Sequence, residues 1–178
     1  MASRLATRTI SINRAPVLTL WAAVVARHLG FDEDEALSLG KAVAGLTAQL
    51  KGRQIGIFRP LEAHRARQKK RGEEFWIELL GRPVPVRNTA EGIRAVRGNR
   101  IIEPDSVRRY LAGKFGKNLR AVRSAMQRLA ASYSPEELAR QAYSLYERFR
   151  PEIPSGVKGW GAKGKLDLES IEQLARQS

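Results

Sequence analysis

The chain has no cysteine, which removes disulfide staples, thiolate nucleophiles and cysteine-based zinc sites together, and implies no oxidising compartment. Histidine is nearly absent too. His28 and His64 stand alone, so the sequence offers no Cys/His metal cluster and no second imidazole beside either ring. Long apolar runs are missing: the longest, between Ala15 and Leu29, is broken by Arg27 and His28 and is too short to cross a bilayer. The start, MASRLATRTISINRAP, has no stretch that would serve as a secretory core. A cytoplasmic protein is expected, with no membrane attachment.

Acids are also scarce. Eighteen Asp and Glu face 32 Lys and Arg, for a net charge of +14, which favours a polyanionic partner. The excess is regional. Residues 51–72 hold eight Lys and Arg against Glu62 alone, and residues 103–133 hold seven against Glu103 and Asp105. Residues 31–50 instead contain the acidic run Asp32–Glu35. The 51–72 block lacks the leucine or aromatic face that inserts into lipid, which ranks nucleic acid above a membrane surface.

What is present is mostly helix. Val17, Leu18, Leu20, Trp21, Val24, Val25 and Leu29 recur at helical spacing over a wide face, marking a helix that must be covered by others. A second helix follows Gly30. Asp32 and Glu35 have the form of a capping box, with Phe31 as its staple residue. Gly40, Ala44 and Ala48 line that helix with a stripe of small residues, suited to a close neighbour, in this chain or in a second copy. Further helices are predicted from Pro104, on Leu119, Val122, Met126 and Leu129, from Ser134 to about Phe149, and after Asp167. Residues 74–87 read as a β-hairpin, residues 90–97 as one or two helical turns after Thr89, and 151–165 as an irregular Pro/Gly loop.

The predicted fold is therefore mainly α: a compact helical domain built on a helix-turn-helix-like αα-hairpin, with one small β-hairpin. Residues 1–14 read as a basic N-terminal arm with an extended Thr9–Ile12 segment, 15–150 as the helical core, and 151–178 as a loop and helix packed on it.

The phrases NRAPVLTLWAAVVARHLGF, DEALSLGKAVAGL and RPEIPSGVKGWGAKG resemble a family of small basic bacterial proteins. The resemblance implies a bacterial cytoplasmic origin and one integral fold. It brings no activity and no catalytic residues with it.

Three local patterns bear on function. Ala22–Lys41 matches the hydrophobic pattern of a helix-turn-helix, but its second helix would present Asp-Glu-Asp-Glu to DNA phosphates, so a plain αα-hairpin is the better reading. GWGAKG, residues 159–164, matches GxGxxG literally, yet prolines precede it and Leu166 stands where a phosphate loop needs a hydroxyl. The scattered carboxylates Glu73, Glu74, Glu78 and Glu103 form no acid–base pair, and His28 lies on an apolar face without a partner. The expectation is a non-enzymatic protein without cofactor, metal or small-molecule substrate.

Its predicted partner is nucleic acid, duplex DNA ahead of RNA, held at the phosphate backbone by Arg53, Arg65, Arg67, Lys69, Lys70, Arg71, Arg108, Arg109, Lys117, Arg120 and Arg123. Trp160 is a candidate for stacking on an unpaired base. The alternative is an interaction module that binds an acidic protein or self-associates through the Gly40–Ala44–Ala48 stripe.

Overall fold

The computed structural model describes residues 9–50, 74–153 and 162–177. The basic block at 51–72, the QIGIF segment at 54–58 and Trp160 lie outside the described residues.

Helix α1, Arg14–His28, is the centre of the molecule: every residue from Pro16 to Ala26 is buried. A helix that is apolar on all sides must be surrounded. Here α2 (Glu33–Leu50), α3 (Pro104–Phe115), α4 (Leu119–Ala131) and α5 (Pro135–Phe149) pack around it. Its buried Thr19 donates to the Ala15 carbonyl, and Trp21 donates from Nε1 to the Ala142 carbonyl at 2.9 Å while its ring meets Phe149 edge-on. Both polar groups are thus paired without leaving the core.

The reciprocal capping box at the head of α2 forms as its residues imply. The Glu35 amide donates to Asp32 Oδ1 at 2.8 Å and the Asp32 amide donates to Glu35 Oε1 at 3.0 Å. Gly40 abuts α1, where a Cβ would meet the Thr19 carbonyl oxygen at 2.6 Å, so the small-residue position is filled within the chain.

The expectation of a mainly α fold with one hairpin is corrected by two antiparallel sheets, which make this a mixed α and β fold. Strands β2 (Glu74–Leu79), β3 (Arg82–Thr89), β4 (Gly92–Arg97) and β5 (Arg100–Ile101) form a four-stranded meander. The helical turns predicted at 90–97 are β4, because Thr89 is not an N-cap: its hydroxyl donates to the Gly92 carbonyl and accepts from the Glu91 amide, closing a hairpin turn. The β2–β3 turn puts Leu80 and Gly81 both at positive φ, the pattern of a type I′ hairpin.

The second sheet pairs β1 (Thr9–Asn13) with β6 (Lys163–Asp167), turning Ile10, Ile12, Gly164 and Leu166 inward. Part of the predicted irregular loop is therefore strand. Gly164 is required there, since a Cβ would lie 2.3 Å from the Glu152 carbonyl oxygen that receives the Lys165 amide. Asp167 then caps α6, Leu168–Gln177, by accepting from the Glu169 amide. No helix among the described residues is long and apolar enough to cross a membrane.

Three hydrogen bonds fix the larger sheet to α2. Ser38, fully buried, donates to the Ile102 carbonyl at 2.7 Å and accepts from the Ala95 amide at 2.8 Å; Glu35 Oε2 accepts from the Ile93 amide. The sheet's β4–β5 end is thereby held beside the middle of α2.

Candidate nucleic-acid interface

The acids at the start of α2 are structural. Asp32 and Glu35 are engaged in capping. Glu33 pairs with Arg123 of α4 and Arg27 of α1, and Asp34 with Arg108 of α3 and Arg94 of β4. Glu33, Asp34 and Glu35 thus tie the head of α2 to the helices and sheet around it. Residues 36–40 are all buried, and Asp32–Glu35, the residues a recognition helix here would present to a groove, are taken up by the cap and by ion pairs. The αα-hairpin reading describes this geometry, and groove insertion by α2 does not.

The same ion pairs sort the predicted phosphate contacts. Arg108 is held between Asp34 and Asp105, and the hydrogen bond to Asp34 raises its pKa further above the ordinary guanidinium value. Arg123 reaches Glu33 at 2.5 Å. Both are occupied inside the fold. Arg109, Lys117 and Arg120 are exposed and make no ion pair among the described residues. Arg53, Arg65, Arg67, Lys69, Lys70, Arg71 and Trp160 lie outside the described residues.

The structure brings Arg109 together with three cations that sequence reasoning missed. Lys41, Arg97, Arg100 and Arg109 line one open groove of about 630 Å³ between α2, the β4–β5 turn and α3, together with Glu103, Asp105 and Ser106. Two adjoining depressions share Lys41 and Arg97, and their walls include Ala44, Gly45, Ala48 and the Tyr110 ring. Arg97 and Arg100 are directly opposite each other across the two strands, an arrangement that places like charges side chain to side chain and is destabilising without a counter-ion. Lys41 sits half-buried with its ammonium 4.1 Å from the Tyr110 ring centroid. Burial, then repulsion from Arg97 and Lys114, lowers its pKa below the ordinary lysine value.

One signal of the groove was available in the sequence: RGNR, residues 97–100, is two arginines flanking a two-residue turn. Lys41 gave none, being the single base in an otherwise acidic stretch.

His28 is a satisfied histidine. Its Nε2 lies 3.0 Å from the Tyr133 carbonyl oxygen, which can only accept, so the proton resides on Nε2. Glu74 pairs with Arg87. Gly164, the last residue of the GxGxxG match, is in β6, and α6 starts after Asp167 rather than at the glycine, where a phosphate loop would need its helix; Gly159 and Gly161 lie outside the described residues. Among the described residues no group of three or more His, Asp and Glu is placed to hold a metal ion.

No protein-family model matches this chain, and neither does any curated protein or solved structure, so no residue role is brought to it from elsewhere.

Proposed function

We propose that this chain is a non-enzymatic, cytoplasmic nucleic-acid-binding protein, DNA ahead of RNA, that grips the phosphate backbone with an unpaired cationic face. One observation carries this reading. Arg94, Arg108, Arg123 and Arg128 all have carboxylate partners, whereas Arg97, Arg100, Arg109, Lys114, Lys117 and Arg120 have none among the described residues. Charges left without internal partners repel one another, and polyanion binding relieves that repulsion while releasing counter-ions. The 51–72 block, outside the described residues, holds eight more Lys and Arg.

The test is fluorescence anisotropy with a labelled duplex between about 50 and 200 mM salt. Affinity should fall steeply with salt, by about 0.9 in log–log slope for each phosphate neutralised. The R97Q/R100Q/R109Q variant should flatten that slope by about 3, while R123Q should leave it unchanged. An unaltered slope in the triple variant removes this face from the interface. Absence of duplex binding at low salt discards the nucleic-acid reading in favour of an acidic protein partner.

A further inference from the structure

The groove is not uniform. Glu103 and Asp105 are in its own lining, while the two adjoining depressions share Lys41 and Arg97 with it and have no carboxylate in theirs. Three features converge on the shared part. Lys41 is half-buried and makes no ion pair among the described residues. Arg97 stands opposite Arg100 across the β4–β5 pair, and the end of its side chain reaches the backbone of α2 at Gly45, where even an added Cβ would be 3.8 Å from the guanidinium. Ala44, Gly45 and Ala48 keep the wall low, so an incoming group meets the ammonium without side-chain obstruction.

We propose that Lys41 and Arg97 form the floor of a seat for a single phosphate group, with Arg100 and Arg109 closing over it from the rim. This rests on the preceding reading in taking the phosphate to belong to a nucleic-acid backbone; a free phosphorylated small molecule is the other source of the same chemistry. The division of labour follows from geometry. A half-buried ammonium loses part of its hydration and gains from a compact dianionic or monoanionic ligand, whereas Arg97 supplies the planar fork that matches phosphate oxygens two at a time. Burial, and after it repulsion from Arg97 and Lys114, lowers the Lys41 pKa, and a bound phosphate would offset that repulsion.

The experiment uses the full chain with inorganic phosphate, then duplex DNA, comparing wild type with K41M, which keeps the stem over Tyr110, and with R97Q. Circular dichroism establishes that each variant is folded. Phosphate at matched ionic strength should raise the wild-type Tm and shift the Gly45 amide resonance, and both responses should vanish in K41M and R97Q. The salt slope for duplex binding should fall by about 0.9 in K41M. If the wild type binds DNA but K41M has the same slope and phosphate moves neither Tm nor the Gly45 resonance, the seat is overturned and the backbone-binding face stands. If phosphate acts at Gly45 in a Lys41-dependent way but no duplex binds, the seat stands and its ligand is a small phosphorylated molecule, which overturns the nucleic-acid reading.

Discussion

Replacing Gly40 by Ala should destabilise the protein more than any other single-methyl insertion on α2. A Cβ there would lie 2.6 Å from the Thr19 carbonyl oxygen, 3.0 Å from the Ala23 amide nitrogen and 3.3 Å from the Ala23 Cα. All three are backbone atoms of α1, whose inner residues are wholly buried, so nothing can rotate aside. Restoring ordinary contact, which begins at 3.4 Å, requires the helices to part by about 0.8 Å. Overpacking of this kind costs about 1–3 kcal/mol, and contact with fixed backbone places it at the upper end. Glycine to alanine inside a helix returns about 1 kcal/mol, leaving a net loss of about 2 kcal/mol and a fall in Tm of about 4–8 °C. Gly45 is the internal control. Its Cβ would meet only the end of the Arg97 side chain, at 3.8 Å, so G45A should be neutral or gain up to about 1 kcal/mol. Urea unfolding reads both, with a lower midpoint and unchanged m for G40A. Equal midpoints for the two variants would refute the reasoning.

Three further outcomes are expected. S38A should cost about 1–3 kcal/mol, because the buried Ala95 amide and the Ile102 carbonyl lose their shared partner, and hydrogen exchange at Ala95 should accelerate more than at neighbouring β4 amides. Burial, then the neighbouring Tyr143, raises the Tyr146 pKa well above its ordinary value of 10.0, so the unfolded chain sheds that proton first and stability should fall as pH rises beyond about 10. In Y146F that alkaline loss should be shallower, as denaturant midpoints across pH 8–11 or so would reveal. E33Q/D34N should free Arg123 and leave Arg108 on Asp105 alone, lowering Tm modestly because the Glu33 and Asp34 pairs are about two-fifths exposed, while raising duplex affinity and steepening its salt slope; an affinity that does not rise argues against a backbone-contacting role for Arg123.

The legible parts of the sequence were those whose signals are local. Asp32 and Glu35 sit three residues apart and form the box their spacing implies; Ser134 caps α5 by accepting from the Glu137 amide; and the apolar residues of α1 place it in the core. What failed depended on distant chain. Thr89 reads as an N-cap in isolation and becomes a turn residue only because β3 and β4 pair. Lys163–Asp167 looks irregular until β1, some 150 residues earlier in the chain, supplies its partner. The groove was hidden for the same reason, and charge summed along the chain misdirected the search. Residues 31–50 are net acidic although Lys41 stands apart from the acids, and residues 73–102 come out nearly neutral although Arg97 and Arg100 make no ion pair among the described residues.

Helix α2 explains that separation. Its first turn presents Glu33 and Asp34 beside the positive end of the helix dipole, where acids are favoured, and arginines from α1, β4, α3 and α4 gather on them. Lys41 comes seven residues after Asp34, about 10 Å along the axis at 1.5 Å per residue. That spacing exceeds the Debye length of about 8 Å at physiological ionic strength, so the anchored acids do little to neutralise exposed charge around the groove. One end of the helix therefore holds the surrounding elements by ion pairing, and its middle lies where two of those elements, the β4–β5 turn and α3, deliver Arg97, Arg100 and Arg109, which make no ion pair among the described residues. The ion pairs that position α3 are in this sense what brings Arg109 into the same groove as Arg97, and the structural and ligand-facing charges of the molecule are two consequences of the same helix.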